Sequence, residues 1–293
     1  MRDIARKQSL RAPIQELNQA WWESNPMTYE WGGKNPCQPG TRDWYAEIDK
    51  RFFSPSASFF AQDLRNPKPF SKLIPYATLV GKQVLEIGCG SGAHAQQLAS
   101  SGCLLTAIDL TDFAVRCTTE RLNVFGLTGS VMKMDAERMT FPDATFDLVW
   151  AWGVIHHSAH MDRALDEVAR VLKPGGEARI MIYHRHSIIA MAFLVRGWLT
   201  GKGRTMSTDD ILSHYIDGSI ARFYTITQFA QELKRNFSTV RLQIFGQKNE
   251  LYPFPGQGVL GKVKRFLTKY TPDQVAAFIL SRFGNFLFAI VTK

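Results

Sequence analysis

The stretch Val84-Leu85-Glu86-Ile87-Gly88-Cys89-Gly90-Ser91-Gly92 constrains this chain more than any other. It reads as a short buried strand that breaks into a glycine-rich turn and opens a helix at Ala93. Three alternating glycines leave one side of the turn without Cβ atoms, so backbone can come into contact with a ligand. The helix start adds unpaired N–H groups and the positive end of a dipole. Nucleotide-type ligands dock at such a turn, outside the carboxyl end of a parallel strand. A tight strand-to-helix turn with no ligand is the plainer reading.

The following segments weigh against that reading. A second apolar run, 103–108, ends in Asp109, about 20 residues past the glycines, where an acid meets ribose hydroxyls in dinucleotide folds. A third strand, 130–134, ends in Asp135-Ala136, and a fourth, 146–151, follows the acidic turn Pro142-Asp143. A helix over 161–172 runs into Lys173-Pro174-Gly175-Gly176 and a fifth strand, 177–183. Asp109 or Asp135 alone could be a helix N-cap. Two acids, each after one of two consecutive strands, fit a ligand better.

This ordered set resembles the class I S-adenosylmethionine-dependent methyltransferases, in their small-molecule branch. The resemblance covers about residues 80 to 184 and returns at the C-terminus. It rests on the G-x-G-x-G spacing, not the G-x-G-x-x-G of nicotinamide enzymes, and on Arg170-Val171-Leu172-Lys173-Pro174-Gly175-Gly176. It implies an α/β fold: a Rossmann-like, doubly wound, seven-stranded sheet with its last strand antiparallel. It implies S-adenosylmethionine as cofactor and S-adenosylhomocysteine as product. Gly88, Gly90 and Gly92 would lie against the methionine and ribose, with Glu86 near the amino group. Asp109 would take the ribose hydroxyls, Leu110 would pack on the adenine, and Asp135 and Ala136 would bond its edge. Tyr29, in Tyr29-Glu30-Trp31, resembles the tyrosine that covers the methionine end.

The run Trp150-Ala151-Trp152-Gly153-Val154-Ile155-His156-His157-Ser158 occupies the strand end that faces both cofactor sulfur and acceptor in that family. Trp150 is therefore assigned to the cofactor and Trp152 to the acceptor. His156, His157 and Tyr183 are the candidate catalytic groups, since a neutral histidine there could take a proton from the acceptor. Trp31, His184 and Arg185 are candidate acceptor contacts. A structural histidine near a helix start is the plainer alternative. His156 and His160 stand four apart, but no carboxylate or cysteine completes a metal site, so no metal is expected. The Asn/Asp-Pro-Pro-Tyr motif of the family's amino-group methylases of DNA and protein is absent.

Around this core the chain divides into an N-terminal cap, 1–78, and the domain, 79–293. Candidate helices in the cap are 9–20, 42–53 and 56–64, with Trp44 in the core. Insertions at 185–224 and 246–284 are expected to build the acceptor pocket as a lid. The second places roughly 40 residues where a hairpin would suffice. Helices are expected over 188–199, 208–216, 228–237 (capped by Thr227) and 273–282, with strands at 239–245 and 285–292. Phe229, Leu233 and Phe237 should face the sheet.

The charge is uneven. Residues 1–80 hold 11 basic and 8 acidic side chains, residues 81–184 hold 9 and 12, and residues 185–293 hold 15 and 6. This basic last third fits a solubilising face, an anionic substrate, an anionic membrane surface or RNA. Four cysteines without a C-x-x-C pair argue against a disulfide framework. With no secretory signal and no span-length apolar run, a cytoplasmic protein is expected. The favoured function is methyl transfer to a small molecule, with oxygen, nitrogen or carbon as acceptor atom. The alternatives are an RNA or protein acceptor, or a fold that binds the cofactor without transferring methyl.

Overall fold

The apolar runs pair into one sheet. The computed structural model describes residues 14–30, 33–53 and 68–293. Its strands are β1 (Gln83–Ile87), β2 (Leu104–Asp109), β3 (Ser130–Lys133), β4 (Phe146–Trp152), β5 (Leu172–His184), a two-residue β6 (Phe223–Tyr224), β7 (Thr239–Phe245) and β8 (Phe286–Thr292). Their order is β3-β2-β1-β4-β5-β8-β7, with β6 beside β5. All neighbours are parallel except that β8 runs antiparallel to both β5 and β7. This is the seven-strand plan read from the sequence, with β6 added.

Ten helices surround the sheet among the described residues: α1 (Ile14–Ser24), α2 (Arg42–Phe53), α3 (Ala93–Ala99), α4 (Asp112–Phe125), α5 (Met161–Val171), α6 (Ile188–Leu199), α7 (Thr208–Tyr215), α8 (Ile226–Leu233), α9 (Gly258–Tyr270) and α10 (Asp273–Phe283). None is long and apolar enough to cross a membrane. α5 shows why they bury one side. Met161, Ala164, Leu165, Val168 and Ala169 recur at helical spacing and are all buried. They join Phe229 and Leu233 of α8 and Phe237 over one sheet face. Side chains of α2, α3 and α4 cover the other.

Two readings need correction. α8 begins at Ile226, not Gln228, and its cap is Thr225, not Thr227. Only Thr225 stands three residues before Gln228, so their side chains can bond each other's backbone N–H in a capping box. Lys173-Pro174-Gly175-Gly176 is not a separate turn but a bulge within β5. Register jumps from Phe146↔Leu172 to Leu148↔Glu177 across it. The expected helix at 56–64 lies outside the described residues.

The chain leaves β1 toward β2 and β3, then returns to β4 on the other side of β1. That reversal opens a crevice at the carboxyl ends of β1 and β4, where open α/β sheets bind ligands. The glycine turn ends β1 and the histidine run ends β4, so the topology brings both to this crevice.

Candidate active site

The glycine turn is held from three sides. The Gly88 N–H donates to the Ile108 carbonyl at 2.7 Å, and the Gly90 N–H donates to Asp109 Oδ2 at 3.1 Å. Gly88 has φ +77, and a Cβ there would lie 2.2 Å from Val154 Cγ2. The loop after β4 thus closes directly on the turn. Gly90 has φ +53, with no atom near the position of a Cβ, so its bare face looks into the crevice. Behind it, buried Arg121 donates to the Ser91 carbonyl at 3.2 Å, to Gln96 Oε1 at 2.7 Å and to both Asp49 oxygens at 2.5 Å. One guanidinium therefore ties α2, the turn and α3 together.

A cavity of about 560 Å³ opens in front of the turn. Its first half is walled by Tyr29, Glu86, Gly88, Gly90, Asp109, Leu110, Asp135 and Ala136. Asp109 Oδ1 accepts from the Thr111 N–H at 3.0 Å and its hydroxyl at 2.8 Å. Glu86 Oε2 is buried with no hydrogen-bond partner. Burial, then the charge of Asp109, pushes the Glu86 carboxyl well above its usual range. Burial also raises Asp109, against the pull of N–H donors from Gly90 and Thr111. Each carboxyl gains from a ligand that donates hydrogen bonds there.

α1 straps this half from above. Gln15 Nε2 donates to Asp135 Oδ1 at 2.9 Å, and Gln15 Oε1 accepts from the Ala159 N–H at 3.1 Å. Asn18 Nδ2 donates to the His157 carbonyl at 2.9 Å. Glu23 accepts the Asp112 and Phe113 N–H groups at 2.8 and 3.1 Å, placing a carboxylate at the positive end of α4. The segment is therefore fastened to the ends of β3 and β4 and to the start of α4.

The other half is lined by Trp152, His157, Tyr183, Ile189, Ile216, Asp217, Asn249, Glu250, Lys264, Asn285 and Phe286. His157 donates Nδ1–H to the Ile220 carbonyl at 2.6 Å. This leaves Nε2 with the ring's lone pair. Burial lowers its pKa to about 4, so the ring is neutral at physiological pH. Tyr183 is held as a neutral phenol by burial and by the charges of Asp217 and Glu250. Glu250 accepts the Asn285 N–H at 3.1 Å, and burial raises its carboxyl from 4.5 to about 7. Burial also lowers the Lys264 ammonium, against the charge of Glu250. This end presents acids, amides, a phenol and an amine beside apolar side chains.

Five sequence assignments do not reach the cavity. Trp150 is fully buried and stacks on Trp152, ring centroids 5.7 Å apart. It sits two residues deeper on the same strand face, so only Trp152 emerges at the end. Gly92 serves packing: a Cβ would press on Thr118 and Arg121 of α4. His156 is fully buried against His157 and Tyr183, both ring nitrogens unpartnered, and burial lowers its pKa well below the usual range. His184 places Nδ1 3.1 Å from the Gly284 carbonyl. Arg185 pairs with Asp209 instead of facing the cavity. Trp31 lies outside the described residues. His156 belongs to a 3₁₀ turn, Ile155–His157, and His160 precedes α5, so the two share no helix face. Among the described residues no group of three metal-ligating side chains occurs.

The sequence reading missed the α1 contacts and the group Asp217, Asn249, Glu250, Lys264 and Asn285. One signal was available. Gln247-Lys248-Asn249-Glu250 is a polar run just past β7, a strand parallel to β5, so it emerges on the ligand side of the sheet.

Residues 85–180, the span that holds the turn, both acids and the histidine run, match the family described as Methyltransferase domain. This chain carries a class I S-adenosylmethionine-dependent methyltransferase domain. The methyltransferase core is 31% identical over 150 residues to a ubiquinone/menaquinone biosynthesis C-methyltransferase of Hydrogenovibrio crunogenus, covering 48% of this chain and 59% of that protein. It is 39% identical over 102 residues to a fatty-acid O-methyltransferase of Mycolicibacterium smegmatis, covering 34% and 36%. The alignments thus span three-fifths or less of these relatives. The crystal structure of the [4+2]-cyclase SpnF superposes with a TM-score of 0.53 at 16% identity, over 95% of this chain and 94% of that one. That likeness concerns fold alone, and a fold does not fix a reaction. The residues present fit S-adenosylmethionine: an unpartnered buried carboxylate oxygen on Glu86, a bare backbone at Gly90 and the Asp109 carboxylate share one wall.

Proposed function

We propose that this chain transfers a methyl group from S-adenosylmethionine to a small, partly apolar molecule held in the same cavity. The observation that carries the reading is the cavity itself. It joins the Glu86–Asp109 wall to the Tyr183–Glu250 wall beneath α1, and its volume of about 560 Å³ suits small ligands, not a macromolecule. The relatives named above, for quinone biosynthesis and for a fatty acid, also act on small molecules by name.

In this reading Asp109, Glu86, Asp135 and the glycine backbone hold the cofactor, with Tyr29 closing over it. When bound, S-adenosylmethionine supplies an electrophilic methyl group on a good leaving group. The protein's share is then mainly alignment at near-attack distance. Trp152, Ile189, Ile216 and Phe286 would seat the apolar part of the acceptor. Tyr183, Asp217, Asn249, Glu250 and Lys264 would fix its polar end. His157 Nε2 would accept a proton or a hydrogen bond from the acceptor group. Residues 1–78 act as a cap, and 185–224 with 246–284 act as a lid on the domain 79–293.

The test uses S-adenosylmethionine with a labelled methyl group, incubated with the protein and extract of its own host. Products are separated by size, with Asp109→Asn as control. Label in the low-mass fraction, lost in the control, is expected. Label in RNA or protein would overturn the small-molecule reading. Binding of S-adenosylhomocysteine without any labelled product would turn the assignment to a fold that binds without transferring.

A further inference from the structure

Among the described residues, most of the exposed large apolar side chains lie on three helices. On α9, Val259, Val263, Phe266 and Tyr270 recur four, seven and eleven residues on from the first. That spacing sets them in one stripe along the helix. Val259 is 77% exposed, Phe266 60% and Tyr270 62%. The opposite side faces the protein: Gly261 is buried against the Gly256 carbonyl, and Lys264 lines the cavity. A surface helix normally turns its apolar stripe inward; α9 turns it outward. α6 adds exposed Met191, Val195, Trp198 and Leu199, and α10 adds Val275, Phe278 and Phe283.

These helices share a location. All three pack against the 3₁₀ turn Lys248–Leu251. Lys248 of that turn pairs with Asp273 of α10 at 2.7 Å. Asn249 and Glu250 of the same turn line the acceptor half of the cavity, as does Ile189 of α6. The apolar surface therefore lies on the outer side of the segments proposed as the lid.

We propose that α9, with the apolar edges of α6 and α10, docks on an anionic phospholipid bilayer. Charge selects this occupant. Outside the side that faces the protein, α9 carries exposed Lys262, Arg265 and Lys269, and the helix has no acidic residue. Residues 185–293 hold 15 Lys and Arg against 6 Asp and Glu. Two copies of this face brought together would oppose like charges, whereas anionic headgroups supply the opposite sign. An interfacial helix lies in the membrane plane with its apolar side in the acyl boundary and its cations at the headgroups. Lysine stems can cover apolar surface while their ammonium groups stay wet. A bilayer held here would sit on the outer side of the lid. The surface is independent of the reaction, so binding needs no cofactor and its failure leaves methyl transfer untouched.

The test is flotation of the full chain with vesicles of phosphatidylcholine alone and of phosphatidylcholine mixed with phosphatidylglycerol. Preferential flotation with the anionic vesicles, weakened by salt, is expected. Phe266→Ser, and separately Lys262→Glu with Lys269→Glu, should each weaken it by roughly tenfold or more. These side chains are exposed, so circular dichroism and the unfolding midpoint should hold. No partition into either vesicle, or equal partition into both, would overturn the proposal. So would a dimer in light scattering that Phe266→Ser dissolves, since the face would then join copies of this chain.

Discussion

Glu250→Gln tests the electrostatics of the acceptor half directly. Glu250 lies on the cavity wall, and burial moves its pKa from 4.5 to about 7. That difference corresponds to about 3 kcal/mol in the relative cost of the ionised form. Below 4.5 the group is protonated in folded and unfolded chains alike and has no effect. As pH rises toward about 7 the unfolded chain releases its proton while the folded chain keeps it. The folded state therefore loses stability across that window and levels off above it. Glutamine keeps the shape and an oxygen for the Asn285 N–H, which now lies 3.1 Å from the carboxylate, but cannot ionise. Relative to wild type, Glu250→Gln should gain about 3 kcal/mol on passing from below 4.5 to above 7. Urea unfolding of both proteins at several pH values measures the difference. Glu86 and Asp109 are also raised by burial, but they are common to both proteins and cancel. A constant difference across the window would refute the reasoning.

Other substitutions separate the site from its supports. Gly88→Ala should cost about 1–2 kcal/mol for its left-handed backbone and about 1–3 kcal/mol more for the contact with Val154. Adding Val154→Ala should return the second part in urea unfolding, and strict additivity would exclude the contact. Asp109→Asn should raise the dissociation constant for S-adenosylhomocysteine about 10- to 100-fold in calorimetry. Trp150→Phe should leave that constant unchanged, because the indole is sealed in the core. His157 titrates near 4, so turnover should show no inflection near neutrality that His157→Gln removes; finding one would refute the assigned pKa.

The core of the fold was legible because it follows from local patterns. Strand ends at Ile87, Asp109 and Lys133 fall within a residue or so of the sequence reading, since apolar runs stop abruptly at glycines and acids. Glu86, Gly88, Gly90, Asp109, Asp135 and Ala136 reach one cavity because each sits at or just past the end of β1, β2 or β3, a place that spacing alone defines. The errors lie one layer further out. Trp150 and Trp152 carry the same ring on the same strand face, and only depth below the strand end distinguishes them. His156 and His157 are adjacent, and only the 3₁₀ turn decides which faces the cavity. His184 and Arg185 pass the strand end on the ligand side, yet the Gly284 carbonyl and Asp209 claim them first.

By itself the sequence determined the strand–turn–helix succession, the glycine turn and the acids that follow it. These depend on backbone freedom and on residues near one another in the chain. Tertiary structure alone decided which polar groups meet at the acceptor end. Asp217, Glu250, Lys264 and Asn285 come from separate segments, and the strap from α1 reaches across 120 residues to Asp135 and 139 to His157. The raised Glu250 carboxyl, the lowered Lys264 ammonium and the outward-facing stripe of α9 all depend on what the packing buries and what it leaves exposed. Burial is a property of the packed molecule and not of any single stretch of chain.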